Sequence, residues 1–262
     1  MTEWDATRYA RLSALQQAMA AEVLALLELS GDERVLDVGC GNGRVTAEIA
    51  TRLEKGLVVG IDPSAEMIDF ASEHFGSSAH SNLRFETGDA RRIPFRDEFD
   101  LVVSLNALHW IPDQGRALET IRAAMKPSGR AQLRLVPKGR RKSLEDVLEE
   151  TRKSSRWAAY FFEFHDPYLH LTPEEYASLA QENALRVLSI QTADKSWDFG
   201  SRESFAAFGS VTFVEWTRVL PESERGAFVE DVLDRYRTVA NEKTGEENIF
   251  KFYQMDVRLA RG

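Results

Sequence analysis

The stretch Arg34-Val35-Leu36-Asp37-Val38-Gly39-Cys40-Gly41-Asn42-Gly43 decides the fold. A short apolar strand carrying one acidic residue breaks into glycines at every second position. Glycine there lets the backbone come within contact distance of a ligand, where a Cβ would block it. The amides opening the next helix, expected over 44–53, then face the ligand as donors, which suits a carboxylate or phosphate. A dinucleotide fingerprint reads G-x-G-x-x-G, whereas Gly39, Gly41 and Gly43 form G-x-G-x-G and position 44 is Arg. The spacing therefore weakens a nicotinamide reading, and a tight strand-to-helix turn without a ligand is the plain alternative.

Outward from this loop, short apolar runs alternate with amphipathic stretches, the signature of βαβ units and a parallel sheet. Strands are expected at Arg34–Val38, Leu57–Ile61, Leu83–Glu86, Asp100–Leu105 and Arg130–Val136, with a last pair at Leu185–Gln191 and Ile249–Leu259. Helices are expected over 64–75, where Ser64 suits a cap and Met67, Ile68 and Ala71 share a face, and over 113–125, ended by Lys-Pro-Ser-Gly. After Pro137 the rhythm changes: Ser143-x-x-Asp146 and Thr172-Pro173-Glu174-Glu175 each open a helix. The expectation is one α/β domain over 1–262, Rossmann-like, with a mostly parallel seven-stranded sheet and helices on both faces. An N-terminal helical cap (1–30) and a helical insertion or lid (138–184) after the fifth strand complete it.

With 33 basic and 42 acidic residues among 262 the formal net charge is −9, which disfavours non-specific attraction to nucleic acid phosphates. Met1–Ala10 lacks an apolar core of a signal segment, and no run approaches the roughly 20 apolar residues that span a bilayer. The expected setting is cytoplasmic, with a small-molecule partner and neither nucleic acid nor membrane; the oligomeric state is open. Cys40 is the single cysteine and the five histidines lack metal-ligand spacing, so no metal site is expected. Cys40 reads as a small packing residue of the loop rather than a nucleophile. The run Lys138-Gly139-Arg140-Arg141-Lys142 reads as a solvated turn, with a phosphate or RNA patch as its alternative.

The apolar strand, Asp37 and the G-x-G-x-G loop together resemble motif I of the class I S-adenosylmethionine (SAM) dependent methyltransferases. The resemblance implies SAM as cofactor, held by the loop residues Gly39, Cys40, Gly41, Asn42 and Gly43. Asp62, 23 residues after Gly39 at the end of the second strand, is placed to accept both ribose hydroxyls, or else to cap the helix after Pro63. Met67 lies one turn on, against adenine as a polarizable group or in plain core. Gly88-Asp89-Ala90 matches the family position that reads adenine through a carboxylate and the next amide. Asp37 accepts from the SAM ammonium or braces the loop amides. Ligands of open α/β sheets bind outside the carboxyl ends of the strands, so Asn106 and Ala107 should border the cofactor, and His109 and Trp110 should lie nearest the methyl. His109 is the candidate catalytic residue, against packing or capping.

The start Trp4…Tyr9 before the loop is similar to trans-aconitate methyltransferases. Tyr9-x-x-x-Ser13-x-Leu15-Gln16, the motif I run and Leu108-His109-Trp110-Ile111-x-Asp113-Gln114 are similar to insect juvenile hormone acid methyltransferases. Both families methylate carboxylates, which implies O-methylation of a small or apolar carboxylic acid, with Tyr9, Gln16, His109 and Trp110 as acceptor-binding candidates. A carboxylate, with a free pKa of roughly 4, is ionised at neutral pH and needs no general base. Carbon, nitrogen or phenol acceptors are the alternative chemistry; a non-catalytic SAM-binding domain and a nicotinamide oxidoreductase are the alternatives of other classes. The aromatic run from Trp157 to Tyr168 either lines an acceptor pocket or packs the lid.

Overall fold

The computed structural model describes residues 14–76, 80–240, 243 and 245–262. Its centre is a seven-stranded sheet in the order β3-β2-β1-β4-β5-β7-β6. Strand β1 (Arg34–Val38) is flanked in parallel by β2 (Leu57–Asp62) and β4 (Phe99–Leu105). β3 (Leu83–Thr87) extends the sheet beyond β2, and β5 (Met125–Leu135) extends it beyond β4. Strand β7 (Ile249–Arg261) runs antiparallel between β5 and β6 (Leu185–Asp198). The expected strands are all present and the sheet is mostly parallel. β1 is a run of apolar residues, not an alternation, because a central parallel strand is covered on both faces.

On one face α1 (Ala14–Leu26) and α2 (Arg44–Ala50) pack Leu24, Ala47 and Ile49 against Val35, Val58 and Leu101. On the other, α4 (Gln114–Ala124) and α6 (Pro173–Glu182) bury Leu118, Ile121, Tyr176 and Ala180 against Leu36, Val102 and Leu133. Between β2 and β3, α3 (Ala65–Phe75) starts where Ser64 accepts the Met67 amide at 3.3 Å. The sheet changes direction of growth at β1, which feeds β2 on one side and faces β4 on the other, so a crevice opens at the carboxyl ends of these two strands.

The C-terminal third departs from the expectation. β6 reaches Asp198, seven residues past the expected Gln191, because Ala193–Asp198 find partners along Ile249–Gln254. This two-stranded extension overshoots β5, which pairs with β7 only from Met255 onward. A second apolar core packs on it. α5 (Leu144–Arg152) contributes Val147 and Leu148, α7 (Arg202–Thr212) Phe205 and Phe208, α8 (Val214–Thr217) Trp216, and α9 (Glu222–Ala240) Phe228, Val232 and Tyr236. The sequence reading placed a helical lid at 138–184 alone and left 199–248 without elements. The spacing Phe228, Val229, Val232, Leu233, Tyr236, Ala240 is a clear helical face and was the available signal.

Buried polar groups order this second core. The Trp157 indole donates to Asp231 at 2.7 Å, the Trp216 indole to Glu149 at 2.9 Å, and Tyr236 to the Lys251 carbonyl at 2.8 Å. Most of the aromatic run packs: Trp157 and Phe161 are buried, while Phe162 faces solvent. In the basic turn, Arg141 pairs with Asp194 and lies over the Tyr253 ring, and Lys142 pairs with Glu150.

Candidate active site

A cleft of about 460 Å³ opens at the carboxyl ends of β1, β2 and β4. Its cofactor end is built from backbone. The amides of Gly39 and Cys40 both donate to the Ile61 carbonyl, at 2.8 and 3.0 Å, which folds the loop over the end of β2. Asp62 clamps the turn from below: Oδ2 accepts the Gly41 amide and Oδ1 the Ser64 amide, each at 2.9 Å. Ser64, not Asp62, is the cap of α3.

The three glycines do different work. Gly41 has φ +52° and a Cβ there would meet nothing within 4 Å, so its open side is the cleft. At Gly39, φ +78°, a Cβ would fall 2.3 Å from Ala107, the residue that closes the loop against β4. Gly43, φ +77°, corrects the sequence reading: its Cβ would fall 2.6 Å from both Ala71 and Phe85, and it does not line the cleft. It is needed for helix against sheet packing. Gly39, Cys40, Gly41 and Asn42 do line the cleft, as do Asp62, Pro63 and Met67.

Asp37 lies at the cleft floor with 2% of its surface exposed, and accepts the Thr46 hydroxyl at 2.7 Å. Burial, with the Asp62 charge adding to it against the Thr46 hydrogen bond, pushes its carboxyl up to about 7. Burial likewise pushes the Cys40 thiol well up, reinforced by the charges of Asp37 and Asp62, so it is no thiolate nucleophile. Asp89 and Ala90 line the cleft beside β3. The Asp89 carboxylate is held by Arg91, Oδ2 accepting from Nη2 at 2.7 Å and Oδ1 from Nε at 3.0 Å, and this pairing keeps it below the usual carboxylate range. Asn106 and Ala107 also line the cleft; Asn106 sits at φ +57°, and its buried Oδ1 has no partner among the described residues.

Of the acceptor candidates, Trp110 lines the cleft, with its ring 4.0 Å from the Tyr168 ring between centroids. His109 is corrected. It is buried behind Trp110 and is absent from the cleft lining, because the 3-10 turn Leu108–Trp110 sends successive side chains to different sides. Its ring stacks on Tyr168, the Val136 amide approaches Nδ1 at 3.5 Å, and burial, then the His170 charge, holds the imidazole well below its ordinary pKa. Tyr9 and the side chain of Gln16 lie outside the described residues; the backbone of Gln16 is in α1.

Further residues that the sequence did not single out line the cleft beside Trp110. They include Met19 and Val23 of α1, Ile111 and Pro112 after the 3-10 turn, Pro167, and Glu215 of α8. α1 is seated by Arg134, a fully buried guanidinium whose Nη1 donates to the Met19 carbonyl at 2.9 Å while Nε and Nη2 grip Asp256 at 2.7 and 2.8 Å. The segment of Pro167 is pinned by Leu169, whose amide donates to the His109 carbonyl at 2.9 Å and whose carbonyl accepts from Gln114 at 2.8 Å. Among the described residues no group of three or more His, Cys, Asp or Glu could hold a metal, and no helix is long and apolar enough to cross a membrane.

These features fit SAM: a glycine open toward the cleft, an orphaned amide oxygen at the end of β4, and carboxylates at the ends of β1 and β2. Residues 35–129 match a family of methyltransferase domains. The chain is 29% identical over 243 residues to the trans-aconitate 2-methyltransferase of Deinococcus radiodurans, covering 89% of this chain and 88% of that one. To the Streptomyces avermitilis enzyme of the same name it is 32% identical over 178 residues, 66% and 65% of the two chains. Among solved structures, phosphoethanolamine N-methyltransferase 2 of Haemonchus contortus in complex with SAM superposes with a TM-score of 0.64 at 15% identity, over 98% of this chain and 57% of that one. Residues 35–129 thus carry a methyltransferase domain that takes SAM as its cofactor, in a chain that resembles the trans-aconitate methyltransferases.

Proposed function

We propose that the enzyme O-methylates the carboxylate of a small molecule with an apolar body. The observation that carries this is a single cleft joining the glycine loop to a wall of Met19, Val23, Trp110, Ile111 and Pro167. Cofactor and acceptor are then neighbours in a space sheltered from water. The named activity of the trans-aconitate relatives supports a carboxylate.

SAM supplies an electrophilic sulfonium methyl. In this reading the chain holds it through the loop backbone from Gly39 to Asn42, through Asp62 toward the ribose, and through Asp37 toward the ammonium. Pro63 and Met67 lie against adenine, Asp89 and Ala90 read its edge, and Asn106 and Ala107 border the reacting end. The protein's work at the acceptor is proximity and alignment, with the reacting oxygen held roughly 3 to 3.5 Å from the carbon. An ionised carboxylate asks for no base, in keeping with a neutral, buried His109.

A second reading, transfer to a hydroxyl or amine, is favoured by one observation: Glu215 stands on the acceptor wall, where a carboxylate could take a proton. Incubation with SAM and a panel of carboxylic acids, phenols and amines, followed by mass spectrometry and mild alkaline hydrolysis, tests the pair. A base-labile methyl ester is the expected product. Alkali-stable methyl groups on oxygen, nitrogen or carbon would replace the first reading with the second.

A further inference from the structure

Glu215 belongs to a short helix that no cofactor role requires, yet it reaches the cleft. Its position is imposed by its neighbours. Trp216 is fully buried in the second core, its indole bonded to Glu149 at 2.9 Å and its ring stacked 5.5 Å from Tyr168, the residue behind Trp110. With Trp216 locked on one side of the helix, Glu215 is turned to the other, toward the cleft. Arg218, one turn on, holds Oε2 at 2.8 Å. That pairing orients the carboxylate, and because a carboxylate has about four acceptor sites, it leaves capacity for a ligand.

The surroundings make this charge selective. The other acceptor-end residues described are Met19, Val23, Trp110, Ile111, Pro112 and Pro167, apolar apart from the indole edge. A carboxylate set in such a wall rewards an O–H or N–H donor that reaches the acceptor sites Arg218 leaves open. We infer that Glu215 is a specificity-determining residue that accepts a hydrogen bond from a hydroxyl or amine group of the acceptor. This rests on the reading of the Trp110 end as the acceptor site. It holds for either chemistry: the donor is a substituent beside a methylated carboxylate, or it is the methylated group itself.

The test uses matched ligands differing by one hydroxyl or one amino group: carboxylic acids with and without the substituent, compared by turnover, and phenols and benzylic amines beside their methyl ethers or N,N-dimethyl forms, compared by binding. Formation of S-adenosylhomocysteine gives kcat/KM for wild type, Glu215→Gln and Glu215→Ala. Where turnover is too slow, acceptor binding is read by saturation-transfer NMR with S-adenosylhomocysteine in the cofactor end. Wild type is expected to prefer the donor-bearing member about tenfold to hundredfold, the range for a hydrogen bond to a charged group. Glu215→Ala should collapse that ratio toward one and Glu215→Gln should leave part of it, with SAM affinity changed by less than about threefold in both. Melting temperatures of the same variants report whether α8 keeps its seat, and the Gln variant keeps the shape where Ala loosens it. A preference that survives Glu215→Ala, or its absence in wild type, overturns the proposal. Inert carboxylic acids beside phenols or amines that show the Glu215-dependent ratio would overturn the carboxylate reading alone.

Discussion

In the proposed reading the cofactor end and the acceptor end share one cleft, but they are held by different means. At the cofactor end the contacts run through backbone: Gly39 and Cys40 amides to Ile61, the Gly41 amide to Asp62, the Asn106 amide to the Arg134 carbonyl. Its residues lie between Asp37 and Ala107, most of them in or just after the ends of parallel strands whose register fixes their height. The acceptor wall instead gathers Met19, Trp110, Pro167 and Glu215 from four separate segments. The second core places Glu215, and the hydrogen bonds of Leu169 to His109 and Gln114 place Pro167. One end is thus a property of local backbone geometry, and the other a property of packing between distant segments.

The sharpest way to break this comparison is at the loop. Gly41→Val should abolish SAM binding by calorimetry while the apo protein unfolds as cooperatively as before, since the new side chain occupies cleft space and not core. Gly43→Val should do the reverse first, lowering the melting temperature, because it drives into Ala71 and Phe85. If Gly41→Val still binds SAM, the cofactor end has been placed wrongly.

Next in size is Trp216→Ala. Removing a fully buried indole should cost about 3–5 kcal/mol in chemical denaturation, and should impair acceptor turnover by unseating Glu215 while SAM affinity stays within about threefold. A parallel loss of SAM binding would show that the two ends are one cooperative unit. Asp62→Ala is expected to weaken SAM by roughly 1.5 to 3 kcal/mol, the range for hydrogen bonds to a charged group; unchanged affinity in a folded variant would leave the ribose without its acidic partner. Trp110→Ala should lower kcat/KM for the acceptor by about tenfold, near 1.4 kcal/mol, with SAM affinity nearly constant. Loss of stability with normal kinetics would return Trp110 to the core.

The smallest effect is in pH. With its folded carboxyl near 7, Asp37 retains a proton that the unfolded chain releases near 3.8. Its contribution to apo stability is therefore full at low pH and is lost as pH rises from about 4 to 7. Binding of the SAM ammonium calls for the ionised form, so affinity should fall about threefold from pH 7.5 to 6.5. Asp37→Asn should bind more weakly and flatten both profiles; a pH dependence that survives it would assign the titration elsewhere.

The expected strands and the order of the cofactor residues were legible because each carries a local signature: an apolar run ending in glycine, an acidic residue at a strand end, a serine at a helix start. Asp62, Asp89 and Asn106, which line the cleft, carry such signatures. Gly43 was misread because the spacing G-x-G-x-G says where backbone must bend, not what each missing Cβ would strike. His109 was misread because a 3-10 turn rotates neighbouring side chains apart, and nothing in Leu108-His109-Trp110 says which of the two faces the cleft.

By itself the amino-acid sequence determined the parallel sheet and the glycine loop, since these follow from periodicity and backbone sterics over a few residues, and its resemblance to motif I implied the cofactor. Only the tertiary structure decided the acceptor end. The extension of β6 and β7 past β5, the second core packed on it and the buried Arg134–Asp256 pair that seats α1 all depend on contacts between segments far apart in the chain. No short-range pattern encodes such contacts, and Glu215 becomes a cleft residue only when Trp216 beside it is buried.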